Sequence, residues 1–253
     1  MSASPSTALV TGAASPRGIG RATARRLAAA GWSVAILDLD GDAAATTARE
    51  IAEEFGVKTL GVGGNVTDEA SVDAAVSRVE AELPPIAGLA NIAGITSPNR
   101  FFDTTLDEWN RLLSINATGT YIVTKRVARG MVDRGYGRIV NMSSVSAIRG
   151  GGVFGGVPYS AAKAAILGFT RALARELGPS GVTVNAVTPG VVSTDIRAGS
   201  TTDELEAKLS ADVPLGRQAT ADEIAALFAF LLSADAGYIT GSTYDINGGS
   251  HIY

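Results

Sequence analysis

Apolar residues along the chain fall into short dense runs, separated by longer stretches where they recur every three or four positions. The runs Ala8–Thr11, Ser33–Leu37, Thr59–Val62, Gly88–Asn91, Arg138–Met142, Thr183–Val187 and Tyr244–Ile246 predict strands. Unbroken apolarity, rather than alternation, is what a strand covered on both faces needs. The amphipathic stretches predict helices near Gly18–Ala30, Asp42–Phe55, Glu69–Glu82, Leu106–Asp133, Ser160–Leu177 and Ala221–Leu232. Asp68 stands where a helix N-cap belongs, and Gly31 and Gly178 follow two helices. Strands alternating with helices predict parallel β-α-β units. The expected architecture is α/β, a doubly wound, seven-stranded parallel sheet with helices on both faces, in a single domain spanning 1–253.

Composition narrows the chemistry. Of 253 residues, 46% are hydrophobic and none is Cys, which removes disulfides, thiolate nucleophiles and cysteine metal sites. The one His, His251, leaves no metal cluster and no Ser-His-Asp hydrolase without a G-x-S-x-G elbow. The net charge of −4 and the lack of a basic block give no footprint for nucleic acid. The start lacks a signal-peptide pattern, and the longest apolar run, Ile224 to Leu232, is too short for a bilayer. A cytoplasmic protein without a membrane partner is expected. The stretch Val191–Leu215 is polar and weakly helical over Asp203–Leu209, either a mobile lid or a surface excursion.

Between the first strand and helix lies Thr11-Gly12-Ala-Ala-Ser15-Pro-Arg17-Gly18-Ile19-Gly20. Glycines here let the backbone approach a diphosphate, and the helix start offers it free N–H groups. Asp38 ends the second strand, where a carboxylate accepts both ribose hydroxyls and repels a 2′-phosphate. The alternative for Asp38 is a solvated loop acid. Arg17 pulls toward a 2′-phosphate, but a fixed carboxylate outweighs a long flexible side chain, so NAD is the expected cofactor.

Tyr159-Ser-Ala-Ala-Lys163 opens a helix, which puts phenol and amine one turn apart on one face. An ammonium there is expected to lower the phenol pKa and fit Tyr159 for acid–base work. The alternative is a surface pair. A strand leads into Ser143-Ser144, where a hydroxyl can polarise a carbonyl. Asn116 interrupts an apolar helix with Gly119 nearby, either as a local bend or as a satisfied buried amide.

Taken together these segments resemble the short-chain dehydrogenase/reductase family, single-domain type, nearly end to end. The resemblance rests on the Gly12–Gly20 turn, Asn65-Val66, Asn91-Ile-Ala-Gly94, Asn116, Ser144, Tyr159-x-x-x-Lys163, Pro189-Gly190 and Asn247-Gly248-Gly249. It implies a Rossmann-like fold and a set of roles. Asn116, Ser144, Tyr159 and Lys163 would be catalytic. Tyr159 would exchange the proton, Lys163 would tune it and hold the nicotinamide ribose, Ser144 would bind the substrate oxygen, and Asn116 would hold a relay water. Gly12, Ser15, Arg17, Gly18 and Ile19 would surround the diphosphate, with Asp38 and Leu39 at the ribose. Asn65 and Val66 would flank the adenine, and Asn91, Ala93 and Gly94 the adenosine ribose. Pro189, Gly190, Val192 and Thr194 would fix the carboxamide.

The chain departs from the family pattern in four places. The glycine turn carries two extra residues around Ser15-Pro16-Arg17. Asn65 replaces an Asp, and Ile92 replaces the second Asn of Asn-Asn-Ala-Gly. Ser144 and Tyr159 are 15 apart instead of 13, the surplus falling in Gly150–Gly156. A longer loop costs little closure entropy, so the two side chains can still meet. Ser144 is preferred over Ser143, with Ser146 the weaker candidate.

The expected substrate wall is Ile95, Ser144, Ser146, Val153, Phe154, Tyr159, Val191 and Ile196, mainly apolar. It suggests a neutral, fairly hydrophobic or bulky secondary alcohol or ketone, reacting reversibly with NAD(H). Two alternatives are an NADPH-linked 3-oxoacyl-type reductase and a non-catalytic dinucleotide-binding redox sensor. A nucleotide-sugar epimerase fits poorly, since only 90 residues follow Lys163. Broad apolar helix faces and the resemblance imply a homotetramer, which light scattering would check, and a tail with His251 and Tyr253 that either reaches a neighbour's pocket or hangs free.

Overall fold

The computed structural model describes residues 6–197 and 201–252. Strands β1 (Thr7–Thr11), β2 (Ser33–Asp38), β3 (Thr59–Gly63), β4 (Ile86–Asn91), β5 (Gly137–Met142), β6 (Val182–Pro189) and β7 (Thr243–Ile246) form one sheet in the order β3-β2-β1-β4-β5-β6-β7. Every neighbouring pair is parallel. The seven expected strands are all present, each within two residues of its predicted ends. The direction of winding reverses between β1 and β4, which opens a crevice at the carboxyl edge there.

Side chains along the inner strands alternate between two cores. Ala8, Val10, Val34, Ile36, Ala90 and Val140 face α1 (Ile19–Ala29), α2 (Gly41–Phe55) and α9 (Ala221–Leu232). Leu9, Ala35, Leu37, Leu89, Ile139 and Val184 face α3 (Glu69–Glu82), α5 (Gly119–Arg134) and α7 (Val157–Leu177). Both faces being covered explains why these strands read as continuous apolar runs.

The long helix predicted over Leu106–Asp133 is α4 (Leu106–Leu113) and α5 joined by a π-turn at Ser114–Thr118. The Asn116 amide donates to the carbonyls of Leu112 and Ile95, both at 3.0 Å, and accepts from Ile95 N at 3.2 Å. A side chain inserted into the helix ladder in this way is a known cause of such a bulge. The bend and the satisfied amide are thus one feature.

Asp68 caps α3 as expected, accepting from Ser71 N at 3.0 Å. Gly178 is not a left-handed cap. Its φ is −52°, and a 3-10 turn over Gly178–Ser180, begun by Pro179, carries the chain on to Gly181. A four-residue helix, α6 (Ser146–Arg149), precedes the glycine loop, and α8 (Asp203–Ala211) occupies the weakly helical stretch.

A file of buried amides and hydroxyls ties helices to sheet. Asn91 and Asn141 are register partners on β4 and β5, and Asn91 Nδ2 donates to Asn141 Oδ1 at 2.8 Å. Asn91 Nδ2 also reaches Thr124 of α5 at 2.8 Å, and Asn141 Nδ2 reaches Thr170 of α7 at 3.0 Å.

Candidate active site

A cleft of about 540 Å³ lies along the carboxyl edge of the sheet. Its wall begins with the turn after β1. Gly12 has φ +68°, and a Cβ there would lie 2.7 Å from Ala93 Cα, so only glycine fits. Thr11 Oγ1 accepts from Ile92 N at 3.0 Å and from Ala93 N at 3.1 Å, drawing the ends of β1 and β4 together. Sequence reasoning assigned Thr11 no part. The Thr-Gly pair at the strand end was the available signal. A Cβ on Gly20 would sit 2.3 Å from Gly12 O, so α1 starts hard against the turn.

Asp38 lies at the rim of this turn. Its Oδ2 accepts from Ala14 N at 2.9 Å, and Oδ1 from Asp40 N at a weak 3.4 Å. Asn65 Oδ1 is committed to Thr67, through N at 3.0 Å and Oγ1 at 2.8 Å, which leaves its Nδ2 for a ligand. Leu39 lines the cleft with an exposed side chain, and Val66 packs against Gly119 at the end of the π-turn.

At the other end the floor is polar and buried. Lys163 Nζ donates to Met142 O at 2.9 Å, and Ser143 Oγ donates to Lys163 O at 2.8 Å, so α7 is stitched to the end of β5. Ser143 is thereby a structural hydroxyl. Ser144 Oγ accepts from Ser146 N at 3.2 Å, and its hydroxyl lies close enough to the Tyr159 phenol to favour the phenolate. Lys163 Nζ lies 5.7 Å from the Tyr159 ring centre. A Cβ on Gly94 would meet Asn116 Oδ1 at 2.5 Å and Lys163 Nζ at 3.4 Å, so these groups crowd one point.

The expected electrostatics are reversed at Tyr159. Burial raises the phenol pKa above its ordinary value, and the Ser144 hydroxyl only partly opposes this. Burial also lowers Lys163 to about 8. Lys163 is buried and Tyr159 half-buried beside it, and the charged form of each is disfavoured. Lys163 meanwhile spends its hydrogen bond on a backbone carbonyl.

The glycine loop covers this end. Gly150, Gly151 and Gly152 have φ of +72°, +67° and +105°, a path that strains residues with side chains. Polar pins hold the loop. Ser146 Oγ donates to Gly151 O at 3.1 Å, Ser160 Oγ to Gly155 O at 2.8 Å, and Thr96 Oγ1 to Phe154 O. Leu209 of α8 also lines the cleft, so the excursion Val191–Leu215 forms part of its wall.

The cleft gathers nearly all of the residues singled out from the sequence. Gly12, Ser15, Gly18, Ile19, Asp38, Leu39, Asn65, Val66, Ala93, Gly94, Ile95, Asn116, Ser144, Ser146, Val153, Phe154, Tyr159, Lys163, Pro189, Gly190, Val191, Val192, Thr194 and Ile196 all line it. Two do not. Asn91 is buried in the core, its Nδ2 spent on Thr124 and Asn141 and its Oδ1 left without a partner among the described residues. Arg17 is exposed and paired with Asp195, its Nε 2.6 Å from Oδ1. Asp195 also accepts from Ser15 Oγ at 2.9 Å and Arg17 N at 3.0 Å. These donors hold its carboxyl below the usual range. Asp195 was missed because it stands 180 residues from Ser15.

The C-terminal tail folds back on its own chain. Asn247 Nδ2 donates to His251 O and Arg149 Nη1 to Ser250 O, at 3.1 and 2.9 Å. Tyr253 lies outside the described residues. No helix of the described residues is long and apolar enough to cross a membrane.

The donor set fits a nicotinamide dinucleotide. The turn offers a close-approach backbone and already holds one anion, the Asp195 carboxylate. Asp38 waits where a ribose diol would sit, and the cleft leads from there to a phenol and a hydroxyl. A family model described as enoyl-(acyl carrier protein) reductase matches residues 12–251. An uncharacterized short-chain type dehydrogenase/reductase, y4mP, of Sinorhizobium fredii is 41% identical over 98% of both chains. The 3-oxoacyl-[acyl-carrier-protein] reductase FabG of Aquifex aeolicus is 43% identical over 95% of both. A crystal structure of 3-oxoacyl-[acyl-carrier protein] reductase from Brucella melitensis superposes with a TM-score of 0.90 at 32% identity, covering 98% of this chain and 92% of that one. With site, fold and relatives in agreement along its whole length, the chain belongs to the short-chain dehydrogenase/reductase family of nicotinamide-dependent oxidoreductases.

Proposed function

We propose that the protein moves a hydride reversibly between NAD(H) and the carbonyl carbon of a 3-oxoacyl-type substrate. The observation that carries the reading is the meeting of Tyr159, Ser144 and Lys163 on one buried floor at the end of a cleft that starts at Asp38. The bound nicotinamide supplies the hydride on reduction and takes it on oxidation.

The residues of the chain handle the oxygen. Ser144 donates a hydrogen bond to the carbonyl oxygen and orients it. Tyr159 gives its phenolic proton to that oxygen as negative charge builds there. A phenol whose pKa is raised by burial stays protonated at neutral pH, which suits it to reduction. Lys163, charged below pH about 8, then stabilises the phenolate that remains. Oxidation runs the same proton backwards and is favoured as pH rises. Asn116, braced on Ile95 and Leu112, fixes the far side of this floor.

The 3-oxoacyl class draws its support from relatives that carry that name. A free hydrophobic ketone is the second reading, favoured by the apolar wall of Ile95, Val153, Phe154, Val191 and Ile196. Asp38 supports NAD(H) and parts this chain from 3-oxoacyl reductases of the family, which usually use NADPH. The assembly we propose is a homotetramer, for which the partly exposed Tyr121, stacked edge-on with Phe169, and the exposed Tyr238 offer apolar contacts.

One assay tests the substrate and the cofactor, and light scattering tests the assembly. Purified protein is assayed with NADH and NADPH against a 3-oxoacyl thioester, small ketones and bulky ketones. The expected result is the highest kcat/KM for NADH with the thioester. A preference for NADPH removes the role given to Asp38. Turnover of bulky ketones alone moves the substrate to the second reading.

A further inference from the structure

We propose that Asp195 is an internal stand-in for the cofactor's diphosphate, a positioning residue whose carboxylate fills the glycine turn until the dinucleotide displaces it. The inference rests on the dinucleotide reading of the cleft.

Three donors converge on this carboxylate. Ser15 Oγ and Arg17 N both give to Oδ2, at 2.9 and 3.0 Å, and Arg17 Nε gives to Oδ1 at 2.6 Å. A hydroxyl, a backbone N–H and a guanidinium at the approach to a helix start are the donors a phosphate oxygen seeks. The acceptor is carried by a different part of the chain, the 3-10 turn Asp195–Arg197 after β6. Neighbouring Thr194 and Ile196 line the cleft, so the contact ties the substrate side of the wall to the nucleotide side.

A diphosphate and a carboxylate cannot share these donors. Each satisfies the same hydrogen bonds, and their charges repel at contact distance. Cofactor entry therefore swaps one anion for the other. The chain can make that swap locally. Ser193 N is held by Ala219 O at 2.9 Å, and Val192 bridges Ala219, so the segment is anchored just before Asp195. Asp195 can swing out while β6 and its following turn stay in place. The low carboxyl pKa keeps the stand-in charged at neutral pH.

Isothermal titration of NADH into the wild type, Asp195→Asn and Asp195→Ala tests the swap. Asp195 is partly exposed, so both variants should fold, and circular dichroism melting checks this. The expected result is a Kd about three- to tenfold lower in both variants, since a competing anion is gone. An unchanged or weaker Kd overturns the proposal, because Asp195 would then be a bystander or would hold Arg17 ready for the ligand. Inorganic pyrophosphate gives an arm independent of the nucleotide. It should raise the melting temperature of the variants clearly more than that of the wild type. If neither NADH nor NADPH binds any of the three proteins, the dinucleotide reading fails, and the pyrophosphate arm alone decides whether Asp195 blocks an anion site.

Discussion

The two ends of the cleft are built from different parts of the polypeptide. At the Asp38 end the work is done by backbone. Gly12 and Gly20 clear space, Thr11 clamps two strand ends, and the Asp38 carboxylate stands at the rim on Ala14 N. At the Tyr159 end the work is done by side chains stitched into a buried floor, under a loop of three left-handed glycines. Backbone geometry is inherited from the sheet and changes little with substitution. A desolvated floor depends on each side chain, and charge there is costly. The nucleotide end should therefore tolerate change at the reacting end, while the reacting end should be sensitive to single atoms.

Tyr159→Phe is the strongest test of that separation. Removing one oxygen should cost about a thousandfold in kcat, the middle of the range that a positioned acid contributes. NADH affinity by titration should stay within twofold. A parallel loss of affinity would mean that the two ends act as one.

Lys163→Met asks what the floor costs to build. The folded Lys163 titrates at about 8, while an unfolded lysine titrates near 10.4. Between those values the unfolded chain holds the proton more tightly, so stability from this group rises with pH. The cost of burying the ammonium is present in full below pH 8 and fades toward pH 10.5. Relative to Lys163→Met, the wild type should gain up to about 3 kcal/mol across that window. Denaturant melts at pH 7, 8.5 and 10 measure it. A flat difference would show Lys163 titrating as though in water.

Gly152→Ala should have the smallest effect. Nothing lies within 4 Å of the added methyl, so the cost is backbone strain at φ +105°. About 1–2 kcal/mol is expected. Substrate KM should rise with NADH affinity unmoved. A change in NADH affinity would show that the loop serves both ends.

Much of this was legible because it is local. The strands announce themselves as apolar runs, the glycine turn and Tyr159-x-x-x-Lys163 lie within a few residues, and Asn116 sits beside a bend it helps to make. What escaped reading is non-local or electrostatic. Asp195 meets Ser15 and Arg17 only because the carboxyl edge of the sheet brings β1 and β6 excursions together. Asn91 looked like a ribose contact, yet in the fold its amide serves the core. The Tyr159 shift has the opposite sign because spacing shows the neighbour and not the dryness of the floor.

The file of amides through Asn91 and Asn141 has a mechanical consequence. Apolar contacts between a helix and a sheet vary smoothly as one slides over the other. Directed bonds do not, since each is either made or lost. Thr124, Asn91, Asn141 and Thr170 therefore act as a detent that gives α5 and α7 a single seated position on the sheet. The helix that Thr170 locks carries Tyr159 in its first turn, so the placement of that phenol is set about three turns away, by groups that do not line the cleft.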